Sequence, residues 1–268
     1  MTLHQVKRAY ADTPEGQIHY FTVGNGEPVL LLHKAGLSSD EFTEILPMLG
    51  KNYRAIAIDI LGCGSSDQPE FTPQIADYMK NVMHFLDALK IKKTHIVGRL
   101  FGASIAVEMA ALYPERVNKL ILCDCLYVEP EVLKKVRDLT KNERVVFKED
   151  GSHLVELWKS RLSNPPIHVE MVQRATVEYL KSGLGTRAGD SHRAKFDYDI
   201  EPKLPKIKSQ VLLLYSQKSG LFPRMEVTMK LIPHCKAKLI EGTPSYPTWD
   251  NPEEYGRVIT EFLQNPRG

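Results

Sequence analysis

Three basic side chains stand directly after, or close to, short apolar runs. Lys34 follows PVLLLH, Arg99 follows THIVG, and Lys218 lies shortly after VLLLY. Such runs are typical of strands buried in a parallel sheet, whose carboxyl ends form the edge where ligands bind. If two of these cations face a pocket there, they favour a small anion such as a carboxylate. The alternative is that Lys34 extends to solvent and Arg99 caps a backbone carbonyl.

Two of the candidate residues offer nucleophiles. A lysine buried beside an arginine has a lowered pKa and can act as an amine nucleophile or a base. Lys34, together with Arg99, therefore also suggests an enzyme of the lyase, decarboxylase or isomerase type. Cys63 is a second candidate, but no base accompanies it in the sequence, and a packed loop thiol is the simpler interpretation.

Composition restricts the remaining classes of function. The chain has 268 residues, of which 43% are hydrophobic and 25% charged, and its net charge is +2. These values are typical of one large globular domain or of one domain with an insertion, and they favour neither nucleic acid nor a membrane surface as a partner. Four cysteines form no disulfide framework, and the Cys123/Cys125 pair lacks a second pair with metal-ligand spacing. We therefore expect no metal, no cofactor and a reduced, cytoplasmic protein; the sequence does not indicate an oligomeric state.

The elements that position these residues alternate between strands and helices. An initial hairpin turns at Pro14-Glu15-Gly16, and a helix is predicted from Thr72-Pro73 through Leu89. Further helices are predicted at Ala103–Leu112 and Pro252–Leu263. Predicted strands are Val6–Thr13, Gln17–Val23, Pro28–His33, Tyr53–Asp59, Thr94–Gly98, Leu120–Cys123, Val211–Tyr215 and Ala237–Ile240. This order predicts an α/β fold with a mostly parallel, doubly wound sheet of about eight strands.

The alternation stops between residues 126 and 205. This stretch is poor in strands, with helices predicted at Glu131–Leu139, Ser152–Leu162 and His168–Lys181 and an irregular piece at 181–189. We interpret residues 126–205 as a helical cap inserted into a core of residues 1–125 and 206–268. A cap over the ligand-binding edge would shape a pocket and exclude water.

Five motifs occur in the order and spacing of one superfamily, and the chain resembles the α/β-hydrolases with a helical cap. They are Leu31-Leu32-His33 with Ser38-Ser39, the turn from Asp59 through Gly62 and Gly64 to Ser66, the elbow Gly98–Gly102, Tyr113-Pro114-Glu115-Arg116-Val117, and Asn251-Pro252-Glu253-Glu254-Tyr255. The resemblance implies an α/β-hydrolase fold over nearly the whole chain except the cap. In that family the His33 position organises the backbone around the oxyanion site.

The resemblance also locates the catalytic triad, and none of its residue types is present. The nucleophile position of G-x-S-x-G is Leu100, the acid position is Ser219, and the histidine position is Ser245. A leucine has no lone pair with which to attack a carbonyl carbon, so it cannot form a covalent acyl intermediate. An alternative acid position after the sixth strand holds Asp124, although a helix-start or loop-capping role is the preferred interpretation of that residue.

These substitutions predict a non-hydrolytic homologue that binds a small molecule under the cap. The alternatives are the Lys34 enzyme described above, with help from the Ser219 and Ser245 hydroxyls, and a residual hydrolase that directs water with Asp124 or Cys63. The predicted ligand-binding residues are His33, Lys34, Arg99, Leu100, Phe101, Ser219, Ser245 and Tyr246.

Overall fold

A computed structural model of the chain describes residues 5–125, 127–129, 131–135, 147–162, 168–182, 190–241 and 246–265. Eight strands form one sheet in the order β1-β2-β4-β3-β5-β6-β7-β8. The strands are β1 (Lys7–Thr13), β2 (Gly16–Val23), β3 (Pro28–Leu32), β4 (Arg54–Ile58), β5 (Thr94–Arg99), β6 (Val117–Cys123), β7 (Gln210–Ser216) and β8 (Cys235–Ile240). The predicted α/β fold, with a mostly parallel, doubly wound sheet of about eight strands, is confirmed.

The antiparallel part of the sheet is confined to one edge. The hairpin of β1 and β2 pairs antiparallel, and β2 pairs antiparallel with β4. From β4 onward every neighbouring pair is parallel, with Leu32 opposite Gly98 and Arg99 opposite Cys123. Consequently the residues that follow β3, β5 and β6 meet at one carboxyl edge.

Both faces of the sheet are covered, so its central strands are apolar throughout. Because side chains alternate along a strand, Leu30 and Leu32 enter one core cluster and Val29 and Leu31 enter the other. The helices are α1 (Leu46–Leu49), α2 (Ile75–Ala88), α3 (Phe101–Leu112), α4 (Ser152–Leu162), α5 (Val169–Lys181), α6 (Asp190–Asp197), α7 (Met225–Leu231), α8 (Pro247–Asp250) and α9 (Pro252–Gln264). Helix α3 is buried on nearly all sides against the sheet.

The start predicted for α2 was wrong. The helix begins at Ile75, not at Thr72-Pro73, because Gln74 is the N-cap residue in an extended conformation. Its side chain accepts a bond from the backbone of Asp77, whose carboxylate in turn accepts the Gln74 N–H. This reciprocal pair satisfies two helix-terminal donors and outweighs the preference of proline for a first helical turn.

Two of the predicted cap helices are present as α4 and α5, and α6 was not predicted. For the helix predicted at Glu131–Leu139, residues 131–135 are helical, whereas 136–139 and the irregular piece at 183–189 lie outside the described residues. The limits of the cap at 126 and 205 stay a prediction. The cap is fastened to the core by Arg174 of α5, which donates to the Asp40 and Glu44 carboxylates and to the Thr43 hydroxyl.

Candidate active site

The elbow between β5 and α3 has the backbone geometry of a nucleophile-bearing turn. Its apex, Leu100, has φ 47° and ψ −103°, a left-handed conformation that costs a β-carbon-bearing residue on the order of 1–3 kcal/mol. The flanking glycines permit the tight bend. A β-carbon on Gly98 would lie 2.5 Å from the Gly102 carbonyl oxygen, and one on Gly102 would lie 2.1 Å from the Leu32 carbonyl oxygen. The turn is therefore formed as the motif requires, with an aliphatic side chain at its apex.

Phe101, the residue after the apex, divides its roles between side chain and backbone. The ring is fully buried in the core, edge-on to Tyr78 with 4.9 Å between ring centroids. Its N–H is one of the free donors at the start of α3 and has no acceptor among the described residues. The backbone N–H of Phe101 could therefore make the predicted contact with a ligand, whereas its side chain is part of the core.

The loop after β3 is organised by His33. Its Nε2 accepts the Ile60 N–H at 2.9 Å, so Nδ1 carries the proton and donates it to the Lys34 carbonyl oxygen at 2.8 Å. Burial lowers the pKa of His33, which is consistent with this neutral tautomer. The His33 carbonyl oxygen also accepts the Gly102 N–H at 3.1 Å, which ties the loop to the elbow. His33 therefore holds the backbone in place, and its predicted contact with a ligand stays a prediction.

Glu41 lies beneath this loop. It is fully buried, and its Oε2 accepts the Lys34 backbone N–H at 2.8 Å, while Oε1 accepts from the Arg99 guanidinium. In the folded chain that amide already serves Glu41.

Arg99 is fully buried and engaged by two carboxylates. Besides Glu41, it meets Asp124, with 3.6 Å between Nη2 and Oδ2. Burial opposes the charge, but the Glu41 and Asp124 carboxylates raise the pKa of Arg99 above its usual value. Arg99 therefore holds two buried acids together, a partner set that differs from the backbone carbonyl considered in the sequence analysis. Its direct contact with a ligand stays a prediction.

Asp124 and Ser219 bring the two possible acid positions of the family together. Asp124 adopts φ 49° directly after β6, and its Oδ1 faces the Ser216 N–H at 3.4 Å. The Ser219 hydroxyl lies close enough to this carboxylate to lower its pKa. Burial raises the pKa of Asp124, although Arg99 and the two serines oppose the rise.

The Lys34 side chain turns toward Tyr246 instead of extending to solvent. Its Nζ lies 3.9 Å from the centroid of the Tyr246 ring, which is itself stacked on Trp249 with 4.8 Å between centroids. Arg161 of the cap hydrogen-bonds Tyr246 and places its guanidinium carbon 4.3 Å from the centroid of the Tyr179 ring. These contacts connect the loop after β3, the segment before α8 and the cap.

The cap adds His192 and Lys195 to the same site. A β-carbon on Gly36 would lie 2.5 Å from Tyr179 and 3.5 Å from His192, so both rings rest on the loop after β3. Burial, followed by the charges of Lys195, Arg161 and Lys34, lowers the pKa of His192 well below its usual value. Its Nδ1 is buried without a hydrogen-bond partner among the described residues. His192 is therefore a neutral imidazole in a cationic environment.

Three basic side chains act electrostatically on Lys34. Burial and three cations, Arg99, Arg161 and Lys195, lower the pKa of Lys34 well below its usual value, while Glu41 opposes the change. Four basic side chains therefore interact in this region: Lys34, Arg99, Arg161 and Lys195. Among the described acids, Glu41 and Asp124 contact Arg99. Such a site favours an anion.

Other residues singled out from the sequence lie elsewhere. Lys218 is exposed, and Ser245 lies outside the described residues. Burial and the carboxylates of Asp59 and Glu178 raise the pKa of the Cys63 thiol, so the thiolate that a nucleophile requires is disfavoured. Within the described ranges no group of three His, Cys, Asp or Glu side chains has a metal-binding arrangement.

Glu41, Arg161, His192 and Lys195 were not predicted from the sequence. Asp40 and Glu44 flank Glu41 in the same loop, so the sequence does not show which of these acids is buried. For the three cap residues no local pattern separates a pocket-facing side chain from a solvent-facing one.

In the described part of the chain, no helix has the length and apolar character that crossing a bilayer requires.

Comparisons with known proteins agree with this geometry. A family model described as the alpha/beta hydrolase fold matches residues 27–244. The chain is 26% identical to the 2-hydroxy-6-oxononadienedioate/2-hydroxy-6-oxononatrienedioate hydrolase of Paraburkholderia xenovorans, over 93% of this chain and 91% of that protein. It is 25% identical to the 2-hydroxy-6-oxo-6-phenylhexa-2,4-dienoate hydrolase of Comamonas testosteroni, over 94% and 93%.

Solved structures give the same fold at lower identity. The enol-lactonase from Burkholderia xenovorans superposes with a TM-score of 0.81 at 18% identity, covering 96% of this chain and 100% of that one. A thermophilic esterase from Thermogutta terrifontis superposes with a TM-score of 0.79 at 22% identity, covering 96% and 98%.

Proposed function

Because this chain belongs to the α/β-hydrolase fold family, we propose that it binds a small carboxylate-bearing molecule beneath its cap without cleaving it by acyl transfer. The observation that carries the proposal is the side chain at the apex of the elbow. Leu100 occupies the strained position from which an oxygen nucleophile would attack, and an aliphatic group cannot form the covalent intermediate.

The expected ligand follows from the charge of the site. Lys34, Arg161 and Lys195 act on one another electrostatically, and the Arg99 charge is shared with Glu41 and Asp124. A carboxylate entering here would be attracted by the Arg161 and Lys195 charges that act on Lys34. The aromatic rings of Tyr179 and Tyr246, which lie against Arg161 and Lys34, offer apolar surface for the rest of the molecule.

The names of the relatives support the class of ligand more than the reaction. Those proteins are hydrolases of 2-hydroxy-6-oxo dienoates and dienedioates, compounds that carry one or two carboxylates. The identity of 25–26% over most of the chain supports a pocket that also accepts a carboxylate. It does not support a shared reaction, because that reaction would need a nucleophile that Leu100 does not provide.

A hydrolysis assay tests the loss of acyl transfer. With p-nitrophenyl acetate we expect no burst of p-nitrophenol and no acetyl group on the intact protein by mass spectrometry. The Leu100→Ala variant should give the same background rate as the unaltered chain. A stoichiometric burst with an acetylated protein would overturn the proposal and would identify the true nucleophile by peptide mapping.

Restoring the triad provides the matched positive control. Leu100→Ser alone should gain no activity, since the family's histidine position holds Ser245. The triple variant Leu100→Ser, Ser219→Asp, Ser245→His should gain a measurable burst if the elbow and the Phe101 N–H remain competent. A gain from the single variant would contradict this expectation and show that another residue acts as the base.

Calorimetric titration tests the carboxylate site. Succinate, L-lactate and pyruvate are the probes, and we expect at least one of them to bind. Arg161→Met and Lys195→Met should each weaken binding about tenfold or more, because a hydrogen bond to a charged group contributes about 1.5–3 kcal/mol. Lys218→Met, an exposed lysine, is the control and should not change the affinity. Absence of binding for all three probes would overturn the proposal.

A further inference from the structure

The Lys34 side chain places a primary amine beside the elbow. The loop that carries it is hydrogen-bonded to the start of α3 through the His33 carbonyl oxygen and the Gly102 N–H, at 3.1 Å. Its Nζ is held over the Tyr246 ring at 3.9 Å from the centroid. The amine therefore has a defined position over Tyr246, on a loop that is hydrogen-bonded to the helix that follows the elbow.

The groups around Lys34 mostly oppose its positive charge. Arg99, Arg161 and Lys195 repel an ammonium, and partial burial reduces its hydration, whereas Glu41 and the Tyr246 ring favour it. These effects lower the pKa of Lys34 and increase the fraction of neutral amine near neutral pH, which is the reactive form. A desolvated lysine beside another cation is a known arrangement for an amine that attacks carbonyl groups.

We propose that Lys34 forms a reversible imine with the carbonyl carbon of a small oxo-carboxylate whose carboxylate is held by Arg161 and Lys195. This inference rests on the proposed carboxylate site and deepens it by naming the ligand class. It gives the site a covalent chemistry that needs neither a serine nucleophile nor a histidine base.

The step balances without an additional reactant. The Nζ lone pair attacks the carbonyl carbon, a C–N bond forms, and the C=O π electrons move to the oxygen. Protons released from the nitrogen pass to that oxygen, which then leaves as water while the nitrogen lone pair completes the C=N bond. An ammonium and a carbonyl compound thus give a protonated imine and one water molecule, with the total charge unchanged.

Reductive trapping with pyruvate tests the proposal. The protein is incubated with pyruvate and sodium cyanoborohydride near neutral pH, and modified lysines are located by peptide mass spectrometry. We expect Lys34 to be labelled about tenfold faster than the exposed Lys51 and Lys218, because each unit by which its pKa is lowered provides about tenfold more neutral amine. Equal labelling of all three, or none at Lys34, would overturn the proposal.

Two controls separate chemistry from folding and from simple binding. Lys34→Arg keeps a positive charge and lacks a primary amine, so it should lose the adduct, and its melting temperature checks that it folds. L-Lactate, which has no carbonyl group to trap, should give no adduct and should slow the labelling of Lys34 by pyruvate. Labelling that L-lactate does not slow would contradict the proposed site.

The failure of this inference can be told apart from the failure of the proposed function. If succinate, L-lactate or pyruvate binds by calorimetry while Lys34 is not labelled, the imine is wrong and the carboxylate site stands. If none of them binds and Lys34 is not labelled, both are wrong.

Discussion

Asp59 and Asp124 follow two parallel strands of the same sheet, and both are almost completely buried, yet their environments have opposite effects. Asp59 accepts hydrogen bonds from the His19 ring, the Ser39 N–H and hydroxyl, and the Ser65 N–H, all at 2.9 Å or less. Burial raises its pKa, but these donors outweigh burial and lower it. Asp124 has longer contacts, 3.6 Å to Arg99 and 3.4 Å to the Ser216 N–H, and its pKa is raised by burial.

The difference shows that the supply of donors, more than burial, decides whether a buried carboxylate is a stable anion. The Asp59 charge is satisfied by donors from its own turn, from strand β2 and from Ser39, so it holds the loop after β3 against the turn after β4. The Asp124 charge depends mainly on Arg99, which it shares with Glu41. A carboxylate in that position is sensitive to any charge that enters the site, and structural carboxylates such as Asp59 are not.

The largest effect should come from removing Arg99. Arg99→Met leaves the buried Glu41 and Asp124 without their common cation, so we expect a loss of about 3–5 kcal/mol in the free energy of unfolding. Urea denaturation at neutral pH measures it. If this variant does not accumulate in folded form, Arg99→Lys keeps the charge and should show an intermediate loss.

The matched control removes one donor from Asp59. His19→Gln takes away a single hydrogen bond and leaves the other donors in place, so it should cost only about 1 kcal/mol. Equal losses for the His19 and Arg99 variants would contradict the view that Asp124 depends on one cation while Asp59 does not.

A loss smaller than that of Arg99→Met and larger than that of His19→Gln is expected when the Asp59 carboxylate itself is changed. Asp59→Asn replaces one accepting oxygen with an NH2 group that faces donors, and we expect a loss of about 2–3 kcal/mol at neutral pH. The lowered pKa of Asp59 stabilises the fold at every pH above the unfolded value of about 3.9, and this contribution is lost as the pH falls through the folded value.

Urea denaturation across the acid range checks the sign. The difference between the unaltered chain and Asp59→Asn should be constant from neutral pH down to about pH 4 and should shrink below it. A difference that grows as the pH falls would mean that the Asp59 pKa is raised.

The sequence could predict the frame of the site because local patterns encode it. Apolar runs located the strands, and the glycines on either side of Leu100 located the elbow, since both reflect requirements of a few consecutive residues. The ionic partners could not be found this way. Glu41 lies 58 residues before Arg99, and their contact depends on how the loop after β3 folds against the elbow. Arg161 and His192 reach the site only through the placement of the cap.

The smallest predicted effect has the opposite sign. Asp124→Asn removes a carboxylate that burial destabilises and leaves Arg99 paired one-to-one with Glu41, while the amide oxygen can still face the Ser216 N–H. We expect a gain of about 1 kcal/mol in the free energy of unfolding at pH 7, because the cost of burying that charge is removed.

The pH dependence of that gain distinguishes its cause from better packing. Because the folded pKa of Asp124 is raised, the carboxyl group is protonated in both states below the unfolded value of about 3.9, and its cost appears only as the pH rises toward the folded value. The advantage of Asp124→Asn should therefore be near zero at pH 4 and increase toward pH 7. If the variant is instead less stable than the unaltered chain, and more so at pH 7 than at pH 4, the attraction of Arg99 exceeds the cost of burial, and Asp124 would resemble Asp59 in being a stable anion.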